Sequence, residues 1–587
     1  MTEGSFIHPA IFFFLGAAGL AFIPVRFRTI YLMGIPVLAG LSLAASTPGL
    51  HGVYSFVGRE IILGRIDDLS RLFGVIFILM ALIGIIYGLH EKEKTGPSAA
   101  ALMYVGGALG VVMAGDYITV FIFSEVMAFS SVFLIWLKRD AASLSAGFRY
   151  ILMHLFGGVC LLGGVIIRLI ETGSTAFTPQ PVEGIGSALI LIGFLVNAAV
   201  PPLSAWLSDA YPEATVTGAV FLSAFTTKTA VYTLIRGFPG TEALIWLGAV
   251  MAIYGVVYAV LENDIRRLLA YHIISQVGYM VCGVGLGTEL ALNGASAHAF
   301  SHILYKGLLF MGAGAVIEMT GKRKLTELGG LYKTMPITLI LYMIGGFSIS
   351  AFPLFSGFVS KSMVVSAAGE SHQAAIWLML TLASAGTFLH TGLKLPYYTF
   401  FGKDSGIRTS EPPRNMLWAM GLAAFFCIGI GILPQALYAL LPYPVEYHPY
   451  TGAHVVGALQ MLLFTGLGFM LLLKQLDPET KISLDTDWVY RKGARGLLWL
   501  AAHPIARADA ALGEAYLSLI LRPLERLVQW LWVFERRIVD GAVNGVASLT
   551  YACALRMRLI QSGQIQHYLL VMVAGLFVLL TIYLLLF

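Results

Sequence analysis

Runs of about 20 consecutive apolar residues recur along the whole 587-residue chain, and each is long enough to cross a bilayer as one helix. About sixteen such spans are predicted, at 6–25, 28–46, 69–89, 98–115, 117–137, 147–170, 186–207, 215–236, 241–262, 267–286, 291–319, 337–368, 373–401, 414–434, 454–474 and 566–587. Lipid offers no partner to backbone N–H and C=O groups, so spans of this length predict an all-α polytopic membrane protein. One connection, 475–565, is long. The first run has no basic stretch before it and no small-residue cleavage pattern after it, and reads as a retained span rather than a signal peptide.

Composition agrees with that setting. Hydrophobic residues make up 58% of the chain and charged residues 12%, with mean hydropathy +0.81, against roughly 25% charged in soluble domains. The 64 glycines suit close helix packing in lipid, and GAGAV at Gly312–Val316 reads the same way. A net charge of +5 without a basic, aromatic-interleaved block gives no sign of nucleic-acid binding. Cys160, Cys282, Cys427 and Cys553 are far apart, which argues against a disulfide framework, an iron–sulfur cluster or a zinc site. No HExxH, Walker-type loop or nucleophile elbow is present, so no catalytic centre and no cofactor or metal is expected in this chain.

Loops after odd-numbered spans, counted to the first residue of the next span, carry most of the basic residues, including Arg26, Arg28, Lys92, Lys94, Lys138, Arg139, Arg266, Arg267, Lys322, Arg323, Lys324, Lys403 and Arg408, and loops after even-numbered spans carry few. The positive-inside bias then places both termini on the non-cytoplasmic side.

Two spans are interrupted alike, at Asn197–Trp206 with Pro201 and Pro202, and at Ser348–Gly357 with Pro353. Proline removes a backbone donor in mid-membrane, and paired broken helices point to a transport site. The breaks are about 150 residues apart, and a similar offset aligns Tyr150-Ile-Leu-Met-His154 with His302-Ile-Leu-Tyr-Lys306. An internal repeat of about five spans is predicted, and an odd span count would invert the second copy.

Charges at bilayer depth cost at least roughly 2.5–3.5 kcal/mol each, so they line hydrated paths or pair with other polar groups. His298, His302 and Lys306 recur every four residues and share one helix face. Glu125, Lys228, His154, Lys361 and Lys394, the last near His390, lie inside or beside other spans. Histidine titrates near neutral pH, and a buried lysine can release its proton, so the set reads as a proton or cation pathway. For each alone, a fixed ion pair or a snorkelling side chain is the plainer reading.

Three further runs carry a resemblance: Asp264-Ile-Arg-Arg-Leu-Leu-Ala-Tyr-His-Ile-Ile-Ser-Gln-Val-Gly-Tyr-Met280, Ser301-His-Ile-Leu-Tyr-Lys-Gly-Leu-Leu-Phe310 and Phe352-Pro-Leu-Phe-Ser-Gly-Phe-Val-Ser-Lys361. Over residues of about 60–405 the chain resembles the antiporter-like membrane subunits of respiratory complex I and of Mrp cation/proton antiporters. The core is most similar to the D-type Mrp subunits. Residues of about 505–560, including Leu519–Trp532, mix apolar faces with arginines as an interfacial helix does. Gly541–Gly545, Gln561–Tyr568 and the last span resemble the tail of the distal complex I subunit, whose long helix lies along its neighbours, and the alternative is an amphipathic linker lying on the bilayer. Pro523 argues against one uninterrupted helix here.

The resemblance implies two inverted five-helix units, each with a broken helix, around a central axis of lysine, histidine and glutamate. It divides the chain into 1–97 (N-terminal helices), 98–236 and 241–401 (the two units), 414–474 (additional helices), 475–565 (linker with an amphipathic lateral helix) and 566–587 (last span). Glu125 takes the fifth-helix glutamate position, Lys228 the eighth-helix lysine, Lys306 the bridging lysine and Lys361 the second broken-helix position, and Lys394 falls where relatives place a basic residue. Asn197 stands where most relatives carry a lysine, and asparagine cannot hold a protonic charge. Glu125 is then expected to pair with Lys228 or His154, or to stay protonated. His154 is taken as the counterpart of Lys306, and the second unit as the more standard ion path.

The expected function is proton translocation, or cation/proton exchange, by a membrane subunit of a hetero-oligomeric complex in a bacterial or archaeal cytoplasmic membrane. Expected partners are other membrane subunits, the lipid bilayer, protons and, for an exchanger, sodium. Alternatives are a proton-driven membrane subunit of a bicarbonate-like anion uptake system and a largely structural subunit.

Overall fold

The computed structural model describes residues 6–56, 58–91, 93, 95–480 and 485–587; Lys92 and Lys94 lie outside them. Among the described residues, fourteen helices are long and apolar enough to cross a membrane, and three shorter apolar helices accompany them. The chain divides into two compact units, Met1–Trp488 and Val489–Phe587.

The first unit begins with α1 (Pro9–Gly19) and α2 (Val25–Ala45). A hairpin follows, β1 (Gly49–Phe56) paired antiparallel with β2 (Arg59–Ile66), so the expected all-α fold carries one two-stranded sheet. The hairpin docks on the bundle where Gly115 N donates to Ile62 O at 2.9 Å and Ile62 N donates to Asp116 Oδ2 at 2.7 Å.

Then come α3 (Asp68–Gly88), α4 (Thr95–Met113), α5 (Tyr117–Trp136), α6 (Ala141–Thr172), α7 (Gly184–Asn197), α8 (Ala205–Ala210), α9 (Val216–Ala224) and α10 (Thr226–Gly237). They are followed by α11 (Glu242–Leu261), α12 (Ile265–Leu286), α13 (Glu289–Thr320), α14 (Pro336–Ile349), α15 (Ser356–Glu370) and α16 (Ala374–Thr387), with two π turns at Phe388–Lys394 and Tyr397–Phe401. The helices α17 (Arg414–Ile432), α18 (Gln435–Tyr438) and α19 (Gly452–Leu471) complete this unit.

Matched punctuation runs through the two halves of this unit. Asp116 caps α5 by accepting from the N–H groups of Ile118 and Thr119, and Asp264 caps α12 by accepting from those of Arg266 and Arg267. The helices α6 and α13 are each 32 residues long and end on a left-handed glycine, Gly173 and Gly321. Both broken helices close their first half with the same pair of bonds. Ala199 N and Val200 N donate to Val196 O and Leu195 O, and Ala351 N and Phe352 N donate to Ser348 O and Phe347 O. Ala199 and Ala351 sit at φ 57° and 58°, the left-handed residue of a Schellman-type helix end. The prolines come just afterwards, at Pro201, Pro202 and Pro353, so each half-helix stops without leaving its last carbonyls unanswered.

Ion pairs separate the connections into two groups, one at each end of the bundle. At one end Arg323 pairs with Glu213 at 2.7 Å and with Asp264 at 2.6 Å, and Lys138 pairs with Glu213 at 2.9 Å. These residues follow α5, α8, α11 and α13. At the other end Arg236 grips Asp67 through two bonds of 2.7 and 2.8 Å, and Arg65 donates to Phe177 O at 2.9 Å. The most buried helices are α10, α12 and α13, in which nearly every residue is inaccessible.

The second unit is mostly one long helix. Segments α20 (Asp487–Leu500), α21 (Ala506–Tyr516), α22 (Arg522–Phe534) and α23 (Asp540–Arg558) join through π turns at Ala501–Ile505, Leu517–Leu521 and Glu535–Val539. The expected interruption at Pro523 does not occur. Pro523 stands in the first turn of α22, directly after a π turn, where its missing N–H and its ring are accommodated. An apolar helix, α24 (Ile565–Leu586), ends the described chain.

Candidate functional site

The buried polar residues gather around α12 and α13. Lys228, His298, His302 and Lys306 are wholly inaccessible, and Lys361 and Lys394 nearly so. Three of the four lysines answer the same need. Lys228 Nζ donates to Ser223 O at 2.6 Å, at the end of α9. Lys361 Nζ donates to Ile349 O at 2.8 Å, at the end of α14, and Lys394 Nζ donates to Val260 O and Glu262 O, at the end of α11. Each ammonium thus sits on C-terminal carbonyls, where the helix dipole favours positive charge.

Lys306 differs, because its Nζ lies 3.3 Å from His272 Nδ1. With the ammonium as donor, His272 offers its Nδ1 lone pair and donates through Nε2 to Thr387 Oγ1 at 3.1 Å. Thr391 Oγ1 stands 3.1 Å from the same His272 Nδ1 and 2.7 Å from His390 Nδ1. The histidine ring is therefore straddled by two threonines, one closing α16 and one on the π turn that follows. Thr387 Oγ1 also accepts from Gln276 Nε2 at 3.3 Å, and Gln276 Oε1 accepts from His298 Nε2 at 3.2 Å. Ser360, on the second half of the second broken helix, stands 3.3 Å from His298 Nδ1. A continuous polar string thus runs from Lys306 through His272, Thr387, Gln276 and His298 to Ser360, next to Lys361.

His298, His302 and Lys306 do share a face of α13, yet His298 and Lys306 are connected through α12 and α16. His302 between them has no hydrogen bond at either ring nitrogen among the described residues. Other buried atoms without such partners are His154 Nε2, His390 Nε2, Ser275 Oγ and Ser301 Oγ. Each such group costs about 1–3 kcal/mol unless water serves it, so this centre is suited to hydration.

The first half is built differently. His154 Nδ1 donates to Asn197 Oδ1 at 2.7 Å, and its ring packs on Tyr150 and Trp206 at 4.2 and 4.6 Å. Glu125 pairs with neither Lys228 nor His154, and among the described residues no ion pair or hydrogen bond to it is present. It is half-buried, lines a groove of about 530 Å³ between α4 and α5, and folds over Gly158, where an added Cβ would lie 2.1 Å from its Oε1. The helices α6 and α13, equal in length, can be aligned at their glycine-capped ends, which gives a register four residues from the one in which His154 matches Lys306. In that register His154 is level with His302, and Lys306 is level with Gly158. The four-residue difference arises because the connection to the broken helix is longer in the second half.

His272, Gln276, Thr387 and Thr391 were not among the candidates drawn from the sequence. Gln276 and the threonines are unremarkable in composition, and only the crossing of α12 and α16 brings them together. His272 did carry a signal, since it lies inside the motif run beginning at Asp264.

The sequence matches the NADH:quinone oxidoreductase/Mrp antiporter transmembrane family over residues 114–387. It is 31% identical over 336 residues to the D-type Na(+)/H(+) antiporter subunit of Alkalihalophilus pseudofirmus, covering 54% of this chain and 67% of that protein. The fold resembles a chain of the Mrp complex from Dietzia sp. DQ12-45-1b, with TM-score 0.67, 22% identity and coverage of 78% and 98%. It also resembles a chain of an archaeal membrane-bound sulfane sulfur reductase, with TM-score 0.68, 22% identity and coverage of 98% and 99%. The chain spans about half the length of the A-type and A/B-type antiporter relatives it matches.

Proposed function

Since the chain belongs to the NADH:quinone oxidoreductase/Mrp antiporter family of integral membrane proteins, we propose that it translocates protons, or exchanges cations for protons, as one member of a multisubunit complex. The observation that carries this is the buried string from Lys306 to Ser360. Its proton-carrying members are Lys306 with His272 at one end and His298 at the other, while Thr387, which donates to Ala383 O, and Gln276 orient the two imidazoles so that water can complete the relay between them.

Further readings accompany this one. The matched caps, helix lengths and breaks support two five-helix repeats, and five crossings per repeat make the second inverted. Setting aside the long helix and adding the three shorter apolar helices gives sixteen crossings. With the basic connections facing the cytoplasm, both termini lie on the opposite side. Lys228, Lys361 and Lys394 extend the string into a central axis, and the second repeat carries most of the traffic because Asn197 leaves the first without its lysine.

The end-to-end likeness to the sulfane sulfur reductase chain, long helix included, favours a parent complex whose redox chemistry resides in other subunits. Mass spectrometry of the purified intact complex identifies those subunits. The transport role is tested by Lys306→Ala in the intact complex reconstituted into vesicles. Proton movement falls to background if the reading is right, and unchanged movement refutes it.

A further inference from the structure

One buried carboxylate stands outside this string. Asp485, from the connection after α19, is 6% exposed and reaches in between α8, α11 and α12. Tyr254 OH on α11 and Tyr271 OH on α12 both donate to it, the latter at 2.5 Å. Ser208 Oγ on α8 stands 3.5 Å away, and Thr486 N donates at 2.5 Å. The other charged or titratable groups nearby are Tyr258 on α11, stacked on Tyr271 at 5.1 Å, and Arg267 on α12, 5.9 Å from the Tyr271 ring. On α8, Asp209 is paired with Arg149 at 2.6 Å. No basic side chain pairs with Asp485 among the described residues.

Two of these helices repeat a pattern. Ser204 lies one turn inward from Ser208, and Ser275 one turn inward from Tyr271. Ser275 Oγ is buried without a hydrogen-bond partner among the described residues, and buried Ser204 faces the Tyr254 hydroxyl. Residues four apart share a helix face, so both faces continue from Asp485 toward the interior as polar surface that water would serve. Next to Tyr271 on α12 is His272, the partner of Lys306.

We propose that Asp485 is the proton-exchange group for this end of the pathway, between the first broken helix and α12. The carboxylate takes a proton from a hydronium ion at the aqueous face, forming one O–H bond and leaving water. It then gives that proton to water beside Ser204 and Ser275, returning to the carboxylate. The proposal rests on the transport reading above.

The experiment compares wild type, Asp485→Asn, Asp485→Glu and Lys306→Ala in the intact complex in vesicles, following proton movement against pH. Asp485→Asn keeps an acceptor for only one of the two tyrosines, which bind different carboxylate oxygens, and cannot carry the proton. It is expected to lower proton movement at least tenfold and to remove a protonated-carboxyl band from infrared difference spectra after a pH jump, while Asp485→Glu restores both. Movement within twofold of wild type in Asp485→Asn, with Lys306→Ala inactive, overturns this proposal and leaves the transport reading standing. An active Lys306→Ala overturns both. If Asp485→Asn fails to assemble, the double variant Tyr254→Phe/Tyr271→Phe decides. Removing the two donors that seat the carboxylate is expected to lower proton movement at least tenfold, and movement within twofold of wild type overturns the proposal.

Discussion

Lys306 meets His272 at 3.3 Å, and it is the one lysine among Lys228, Lys306, Lys361 and Lys394 whose described hydrogen bonds include a titratable side chain. The other three rest on helix-terminal carbonyls, so their charge is held by dipoles that do not themselves accept a proton. Cutting the string beyond His272 therefore isolates Lys306 without touching it. Gln276→Leu is expected to reduce proton movement by about tenfold, equivalent to about 1.4 kcal/mol on a barrier, with the complex assembled. Vesicle assays of the intact complex measure it, and full activity would show that protons bypass Gln276.

The His154–Asn197 bond belongs to the architecture of the first break. Asn197→Leu strips the fully buried imidazole of its hydrogen-bond partner and is expected to cost about 1–3 kcal/mol. Thermal unfolding of the detergent-purified complex should show the loss as a lower Tm. Proton movement at permissive temperature should stay within twofold of wild type, and a loss as deep as that of Lys306→Ala would assign the first half an indispensable role.

Close backbone packing holds α12 in register against α11. A Cβ on Gly278 would lie 2.6 Å from both Ala252 N and Gly248 O, atoms that cannot step aside. Gly278→Ala is expected to destabilise the complex by about 1–3 kcal/mol. Gly158→Ala should cost less, since its new Cβ meets the far end of the Glu125 side chain, which can swing into the adjoining groove. Equal Tm losses for the two variants would contradict this ordering.

Asp67 gives the fold an acid limit at one end of the bundle. Partial burial raises its pKa, but Arg236, the Ser70 N–H and Arg65 outweigh burial and hold the carboxyl at about 2, below its ordinary 3.8. A depressed folded-state pKa contributes stability that is fully present above about pH 4 and is lost as pH falls toward 2. With its side chain 35% exposed, Asp67 contributes under about 1 kcal/mol. Asp67→Asn should lower Tm slightly at neutral pH, and the gap to wild type should close in acid. A gap that persists at the lowest pH would mean the pair is not responsible.

The long apolar runs made the helical class and most helix positions legible in advance, because bilayer thickness sets their length. Glu125, His154, Lys228 and the α13 stripe were also legible, since a charge in such a run is conspicuous. The hairpin of residues 49–66 was missed because its alternation is short and includes glycines and charges. Gln276, Thr387 and Thr391 were missed for another reason: neutral polar side chains become links only when helices distant in sequence cross. Asp485 belongs to a connection with no periodicity, and nothing local marks a surface-looking aspartate as one that two tyrosines draw inside.

Ala199 and Ala351 give each broken helix a stiff elbow. A left-handed alanine costs about 1–2 kcal/mol, and its well is narrower than the one glycine would offer. The two arms of each break are thus joined as a bent lever rather than a slack cord.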